Sequence, residues 1–576
     1  MPRSNDLVAN ALSELADLIA ITGGDPFRVR SYEKAARSVA AYPIDVDTLG
    51  ESGLDAIPAV GSHIAAKIAS FVHRGHIDEL DELRAQVPAG LRSLLDVPGL
   101  GPRRARQIYD ELGVASVPDL LSALGHERLR GLRGWGPTSE ARLAQAIHDF
   151  QGAGGRLQLG VATEVAEELV GGLGSQGAVQ RVTYAGSLRR MRETIGDIDL
   201  LAAADDAEQV MDAFAGLASI ADLPVRGPTR GAAVTTTGVH VDLRVVPPEV
   251  WGAALLYFTG SKAHNIHLRR LAQRAGTKLS EYGLTRNGQV LAAATEAEVY
   301  AQLGMAYVPP TLREDRGEIE AALDGSLPHL VELDAIRGDL HTHTDLTDGL
   351  ASMEEMAAAA RARGYRYMAV TDHAPLLSMQ RMTTEKALVQ RAALRALSGR
   401  GGLTLLHGSE LNIQPDGTLD WDDDFLSHFD VLVASVHSAF RLGRDAMTAR
   451  IIRAIEHPAV NIIGHPTGRS LGSRPPIDFD RDAVFRAAAR AGTALEINSF
   501  PDRLDLGDEL ARRAQELGVL FAISSDAHAT RHLDNMRYGV GTAQRGWVRQ
   551  ENVVNTWPLA RLRRFLAKEH VASRSA

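Results

Sequence analysis

Apolar positions in the first 150 residues recur at helical spacing and are broken by short Gly/Pro turns, as in 11–20, 31–41 and 64–72. An all-helical region is predicted there. Between 155 and 250 the pattern changes to short β-type runs, RVTYAGS and VHVDLRVV, which predict an α/β segment around a small sheet. Residues 251–305 return to mixed helix and loop, and 312–336 are charged and weakly patterned, as expected of the main linker. From about 337 onward seven apolar runs alternate with helical stretches: RGDLH, YMAVTDH, LTLLHG, DVLVASVH, VNIIGH, TALEIN and LFAISSDAH. This alternation predicts a parallel βα barrel or a doubly wound sheet. Each run carries its polar or ionisable residue at the C-terminal end, where α/β architectures place active sites.

At 576 residues the chain exceeds what one core organises, and 45% hydrophobic with 23% charged residues is ordinary for globular folding, so several domains are expected. There is no cysteine; any metal site must be built from His and carboxylates. The N-terminal stretch MPRSNDLVANALSEL lacks an apolar signal region, and no apolar run approaches the roughly 18 residues of a membrane helix. A soluble cytoplasmic protein with no membrane partner is expected. A formal charge of −10 opposes binding to phosphates on average. Residues 261–280 nevertheless carry Lys262, Arg269, Arg270, Arg274 and Lys278 with no acid, so a basic groove is compatible with the acidic total.

Three turns share a form: Ile57-Pro-Ala-Val-Gly61-Ser, Val97-Pro-Gly99-Leu-Gly101-Pro and Leu132-Arg-Gly-Trp-Gly136-Pro. Their glycines allow a tight turn that sets a helix N-terminus and its N–H groups against a phosphate. A helix cap followed by a turn explains one such segment; repetition favours the phosphate site. The turns resemble helix-hairpin-helix elements of repair proteins, which implies that Gly61, Gly99 and Gly101 contact the DNA backbone. The continuation SHIAAKIASFVHRGHIDEL is similar to the lyase domain of polymerase beta-like enzymes. That similarity implies a Schiff-base role for Lys67 at an abasic 5′ end, although His63 stands where many relatives have a DNA-contacting lysine.

In AGSLRRMRETIGDIDL, Asp197 and Asp199 are spaced to share one face of a strand, and Asp242 in HVDLRVV can complete a carboxylate set on a neighbouring strand. Two-metal phosphoryl transfer needs such convergence, and the Gly186-Ser187 turn can offer an N–H and a hydroxyl to a triphosphate. The pattern resembles the nucleotidyltransferase superfamily. The segment YFTGSKAHNIHLR, 257–269, is similar to the nucleotide-selection helix of family X DNA polymerases. This implies a sugar-excluding wall of Tyr257, Phe258 and Gly260, a base contact from Asn265, a template contact from Arg269 and a triphosphate contact from Arg190.

Candidate ligands stand at successive run ends: His341, His343 and Asp348 in HTHTDLTDG, His373 in TDHA, Glu410 in HGSE, His437 in SVHS, His465 in GHPTG, and Asp526 and His528 in SSDAH. Imidazoles and carboxylates suit Zn²⁺ or Mn²⁺, and Glu410 can bridge two ions. A lone strand-end histidine is usually structural; nine candidates in series are hard to explain that way. The set resembles the polymerase-and-histidinol-phosphatase (PHP) domain family, which implies a distorted (βα)7 barrel with two to three Zn²⁺ or Mn²⁺. Nearly the whole chain, from about residue 5 to 560, resembles bacterial family X DNA polymerases, which implies Mg²⁺ or Mn²⁺ at the aspartates.

The resemblance implies helical DNA-binding domains at 1–90 and 91–152, an α/β nucleotidyltransferase palm at 153–247 and a nucleotide-selection domain at 248–315. A linker at 316–336 and a PHP phosphoesterase domain at 337–570 complete it. The expected activity is gap filling in base excision repair on gapped or nicked DNA with deoxynucleoside triphosphates. A 3′–5′ exonuclease is expected in the C-terminal domain, with abasic-site cleavage as an extension. A monomer in the cytoplasm, associated with the nucleoid, is expected. Two other readings are open: a DNA-end-binding protein whose C-terminal domain hydrolyses a small phosphate ester, and a non-catalytic scaffold.

Overall fold

The computed structural model describes residues 4–42, 44–87, 91, 94, 100–115, 117–126, 128–137, 139–140, 143, 156–377 and 382–568. The helix Ser62–Arg74 shows how the N-terminal pattern becomes structure. Ile64, Ala65, Ile68 and Ala69 are buried along one stripe, and the helix ends where Gly75 turns left-handed at φ 76°. One hydrophobic cluster runs from Val8 to Leu143, joining the two stretches expected as separate helical domains. Gly99 lies outside the described residues.

The stretch expected as the palm holds a five-stranded sheet of β1 (Arg181–Tyr184), β2 (Ile198–Ala203), β3 (Ile220–Arg226), β4 (Arg230–Thr235) and β5 (His240–Val246), in the order β1-β2-β5-β4-β3. Strands β2 and β5 are parallel, with Asp199 directly opposite Asp242. Alternation then divides the faces. Leu200, Ala202, Leu243 and Val245 pack against the helices Leu159–Gly174 and Ala207–Ala215. Leu201, Ala203 and Val246 pack against Ala254 and Leu255 of the helix Trp251–Thr259.

Residues 316–336 are not a loose linker. The helix Glu318–Asp324 buries Ile319 and Ala322 in one cluster with Leu268, Val299 and Tyr300. Two charges of this stretch are partnered: buried Glu318 lies 2.7 Å from His264 Nδ1 and accepts from the Asp315 and Arg316 N–H groups, while Arg316 pairs with Asp508 at 2.9 Å. A buried carboxylate is tolerated when its oxygens are satisfied in this way.

Seven parallel strands follow in sequential order: β6 (Gly338–Asp339), β7 (Tyr367–Val370), β8 (Thr404–Asn412), β9 (Val431–Ser435), β10 (Ile462–Ile463), β11 (Ala494–Asn498) and β12 (Phe521–Ser524). A doubly wound sheet would reverse its order part-way. Here the order never reverses, and a parallel bridge between Thr342 and Ala527 joins the ends of the first and last strands, so the barrel nearly closes. Because all strands run the same way, their C-terminal ends open at one mouth. The palm leans on this barrel. Leu504 and Tyr538 join the palm's cluster, Arg537 pairs with Glu167 at 2.6 Å, and Arg469 pairs with Glu193 at 2.8 Å. Among the described residues no helix is long and apolar enough to cross a membrane.

Candidate active sites

The first site lies where β2 and β5 run side by side. Carboxylate oxygens of Asp197, Asp199 and Asp242 lie within 4.8 Å of one another. Strand β2 begins at Ile198, so Asp197 sits one residue before it yet shares the Asp199 side of the sheet. Burial, and then repulsion from Asp197 and Asp242, pushes the Asp199 carboxyl up to about 7. Asp242 Oδ1 is buried without a hydrogen-bond partner. Three carboxylates crowded in this way are completed by divalent cations, so the residues fit the expected ions. Gly186 opens the short helix Gly186–Arg189 at φ 55°, and a Cβ there would stand 1.8 Å from Asp199 Oδ2. Only glycine lets this turn approach the carboxylate so closely.

A cavity of about 1000 Å³ opens from the aspartates toward the helix Lys262–Arg274. Its lining includes Gly186, Ser187, Arg190, Asp197, Asp199, Tyr257, Phe258, Gly260, Asn265 and Arg269. Tyr257 and Phe258 meet edge to face at 5.2 Å, and Arg244 lies over the Phe258 ring at 5.4 Å. Asn265 Nδ2 donates to the Tyr257 carbonyl at 2.7 Å, and Arg269 Nε donates to the Asn265 carbonyl at 3.3 Å. Gly260 takes φ 70°, ψ −151°, a region side chains disfavour. Arg190 spans two layers, with Nη1 donating to the Thr259 carbonyl at 2.6 Å and Nε donating to Glu314 at 3.1 Å. Arg156 and Arg192 also line this cavity and were not singled out in the sequence; neither sits in a run whose spacing marks it.

The second site fills the barrel mouth, and all nine candidate ligands meet there. His343, Asp348, His373 and His528 form one group, His341, His343 and Asp526 a second, and His373, Glu410 and His437 a third, each within 4.8 Å. His465 Nε2 lies 2.9 Å from Glu410 Oε1, and His437 Nε2 lies 3.0 Å from the same oxygen. Glu410 Oε2 faces His373 Nδ1 at 2.9 Å, so this carboxylate stands between groups as a bridging ligand would. Burial alone would raise the Glu410 carboxyl, but His437, His373 and His341 hold it well below the usual range. His341 Nε2 and both ring nitrogens of His343 are buried without a hydrogen-bond partner. Imidazole nitrogens so placed fit metal ions. Two of the candidate ligands, His465 at φ 27° and Asp526 at φ 53°, hold backbone conformations that L side chains rarely adopt, which is common where geometry serves a site.

Residues around the ligands set their orientation. Glu496 Oε1 lies 2.8 Å from His341 Nδ1 and its other oxygen accepts the His465 N–H at 2.6 Å. Asn412 Oδ1 lies 2.8 Å from His437 Nδ1, and Asn498 Nδ2 donates to Asp526 at 3.0 Å. The contacts to His341 Nδ1, His437 Nδ1 and Asp526 Oδ2 turn the opposite ring nitrogen or carboxylate oxygen toward the cluster. The sequence hinted at Glu496 and Asn498 only through the polar end of TALEIN.

In the helical region, Gly61 and Gly101 precede the helices Ser62–Arg74 and Pro102–Leu112, neither of which has a side-chain cap, and a Cβ on either glycine would meet nothing within 4 Å. Uncapped helix ends of this kind suit an approaching anion. Lys67 Nζ is paired with Glu79 at 2.8 Å.

Comparison with known proteins follows the same division. Residues 254–314 match the DNA polymerase beta thumb, 3–77 a helix-hairpin-helix domain, 91–149 a SAM-like helix-hairpin-helix tandem, and 339–463 the PHP domain. A protein of Bacillus subtilis (strain 168) named DNA polymerase/3'-5' exonuclease PolX is 35% identical over 568 residues, spanning 97% of this chain and 99% of its own length. The chain belongs to the PolX family. DNA polymerase lambda of Rattus norvegicus is 27% identical over 321 residues, covering 50% of this chain and 53% of its own. A probable phosphatase of Thermoanaerobacter sp. (strain X514) is 31% identical over 231 residues, covering 38% of this chain and 89% of its own.

Proposed function

We propose that this chain is a DNA-directed DNA polymerase that fills short gaps in repair and also shortens DNA from the 3′ end in its C-terminal barrel. The observation that carries the first activity is the parallel register of Asp199 and Asp242 beneath Gly186, beside a cavity walled by Tyr257 and Phe258. Asp197, Asp199 and Asp242 would hold two Mg²⁺ or Mn²⁺, and the nine barrel residues would hold two to three Zn²⁺ or Mn²⁺. When bound, such ions supply activation of the attacking oxygen and neutralisation of charge on phosphate.

The chain's own groups do the rest. The Gly186 and Ser187 turn receives the triphosphate, Arg190 balances its charge, and Tyr257, Phe258 and Gly260 leave no room for a ribose 2′ hydroxyl. Asn265 and Arg269 face the base and the template. In the barrel, Glu496 and Asn412 fix the imidazoles so that the scissile phosphate meets a rigid site. Gly61, Gly99 and Gly101 grip the backbone of nicked or gapped DNA without reading its sequence. A lyase step at Lys67 first requires release from Glu79, because the paired ammonium is not a nucleophile. The phosphatase relative favours a second reading of the barrel alone, in which it takes a small phosphate ester.

Two variants separate the centres. Asp242→Ala is expected to abolish nucleotide addition and keep 3′ shortening, and His341→Ala with His343→Ala is expected to do the reverse. Full nucleotide addition by Asp242→Ala would refute the polymerase assignment, and surviving DNA degradation in the double variant would refute the nuclease assignment.

A further inference from the structure

The polymerase cavity is braced by a residue of the C-terminal domain. The helix Met536–Arg545 lies against the turn that follows Arg190 so closely that a Cβ on Gly541 would stand 2.8 Å from Met191 Cγ. Its last residue, Arg545, is buried, with 7% of its side chain exposed. Arg545 Nη1 donates to the Arg190 carbonyl at 2.9 Å and to Glu314 Oε1 at 2.8 Å. Arg545 Nη2 donates to Asp508 Oδ2 at 3.0 Å, so its direction is fixed from the barrel side.

Glu314 is therefore shared. The same Oε1 accepts from Arg190 Nε at 3.1 Å, and the carboxylate side chain is only 10% exposed. Two guanidiniums bear on one buried carboxylate, and a divided partner leaves Arg190 with charge to offer the cavity it lines. Removing Arg545 would leave Glu314 to Arg190 and the more distant Arg192, at 3.7 Å. In a poorly hydrated setting the carboxylate would then hold Arg190 more tightly and cancel more of its charge. The main-chain anchor at the end of the Gly186–Arg189 helix would go with it.

The geometry points to Arg545 as a positioning residue for nucleotide binding: the nuclease-type domain holds Arg190 and the triphosphate turn in place through Arg545 and Glu314. This rests on the polymerase reading above. It makes the C-terminal barrel part of the polymerase site in cis and couples the two halves through one side chain.

The test is single-nucleotide addition by the full-length protein on a one-nucleotide-gapped duplex with Mg²⁺, measuring KM for the deoxynucleotide and kcat separately. Arg545→Ala is expected to raise KM about tenfold or more with kcat within about threefold, as expected when a binding contact is lost and the chemistry is kept. Arg545→Lys, which can still meet Glu314, is expected to recover part of the loss. Adding Glu314→Gln to Arg545→Ala is expected to bring KM back toward wild type, since the competing charge is gone; repair of a merely structural defect would not follow that pattern. Gln544→Ala, on the same helix and bonded to the Val331 carbonyl instead, is the control with unchanged KM.

An unchanged KM in Arg545→Ala, or equal losses in Arg545→Ala and Gln544→Ala, overturns the inference. If Arg545→Ala does not fold, Arg545→Gln is measured against the same threshold. Wild-type protein that adds no nucleotide refutes the polymerase reading itself; wild-type addition with normal KM in the variants refutes only the role of Arg545.

Discussion

Replacing Gly186 with alanine probes the closest approach in the polymerase site. The new Cβ would lie 1.8 Å from Asp199 Oδ2 and 2.8 Å from its Cγ, at a backbone φ of 55°. Non-bonded heavy atoms settle near 3.5 to 4 Å, so the carboxylate must retreat by roughly 1.5 Å or more. The left-handed conformation costs an alanine about 1–2 kcal/mol in folding stability. Catalysis suffers more, because a reacting group misplaced by about 1 Å costs on the order of 100-fold in rate. Single-nucleotide addition to a gapped duplex is therefore expected to fall at least about 100-fold. The melting temperature should drop by only a few degrees, and 3′ shortening by the barrel should stay at wild-type level as the internal control. Addition within about threefold of wild type would refute the claim that Asp199 must sit against this turn.

Other consequences concern stability and metal. His407 is 2% exposed and stacked on Phe429 at 4.6 Å, and burial pushes its imidazole down to about 4. The folded state keeps it neutral while the unfolded chain titrates near 6.5, so its contribution is whole above about pH 6.5 and is lost as pH falls toward 4. Calorimetry at pH 7, 6 and 5 should show a shallower fall in melting temperature for His407→Leu than for wild type; parallel curves would contradict this. Ion binding at the barrel mouth is linked to folding. Chelation should lower the melting temperature of wild type, with Mn²⁺ or Zn²⁺ restoring it, and His341→Ala with His343→Ala should remove that response. An undiminished response in the double variant would count against these ligands.

The chemistry was legible in the sequence wherever it is local. The Asp197 and Asp199 pair, the Tyr257 to Arg269 segment and the nine candidate ligands each stand at strand ends or in short motifs, and each set lies close together in space. The seven barrel strands were equally plain as apolar runs, but the choice between a barrel and a doubly wound sheet depends on strand order, which periodicity does not carry. What stayed hidden is long-range. Glu496 lies 155 residues from His341, and Arg545 lies 231 from Glu314, so no spacing links either pair. The stretch 316–336 misled for a related reason: charge ordinarily marks solvent, whereas Glu318 is buried by partners at His264 and in its own backbone.

The polymerase and nuclease readings together require one chain to carry two working centres. This requirement is tested most directly with a labelled primer in a one-nucleotide-gapped duplex, incubated with the protein and Mn²⁺, with and without the templated deoxynucleotide, and resolved by length. Extension by one nucleotide is expected when the deoxynucleotide is present, and shortening when it is absent. A primer unchanged in both lanes would contradict both readings.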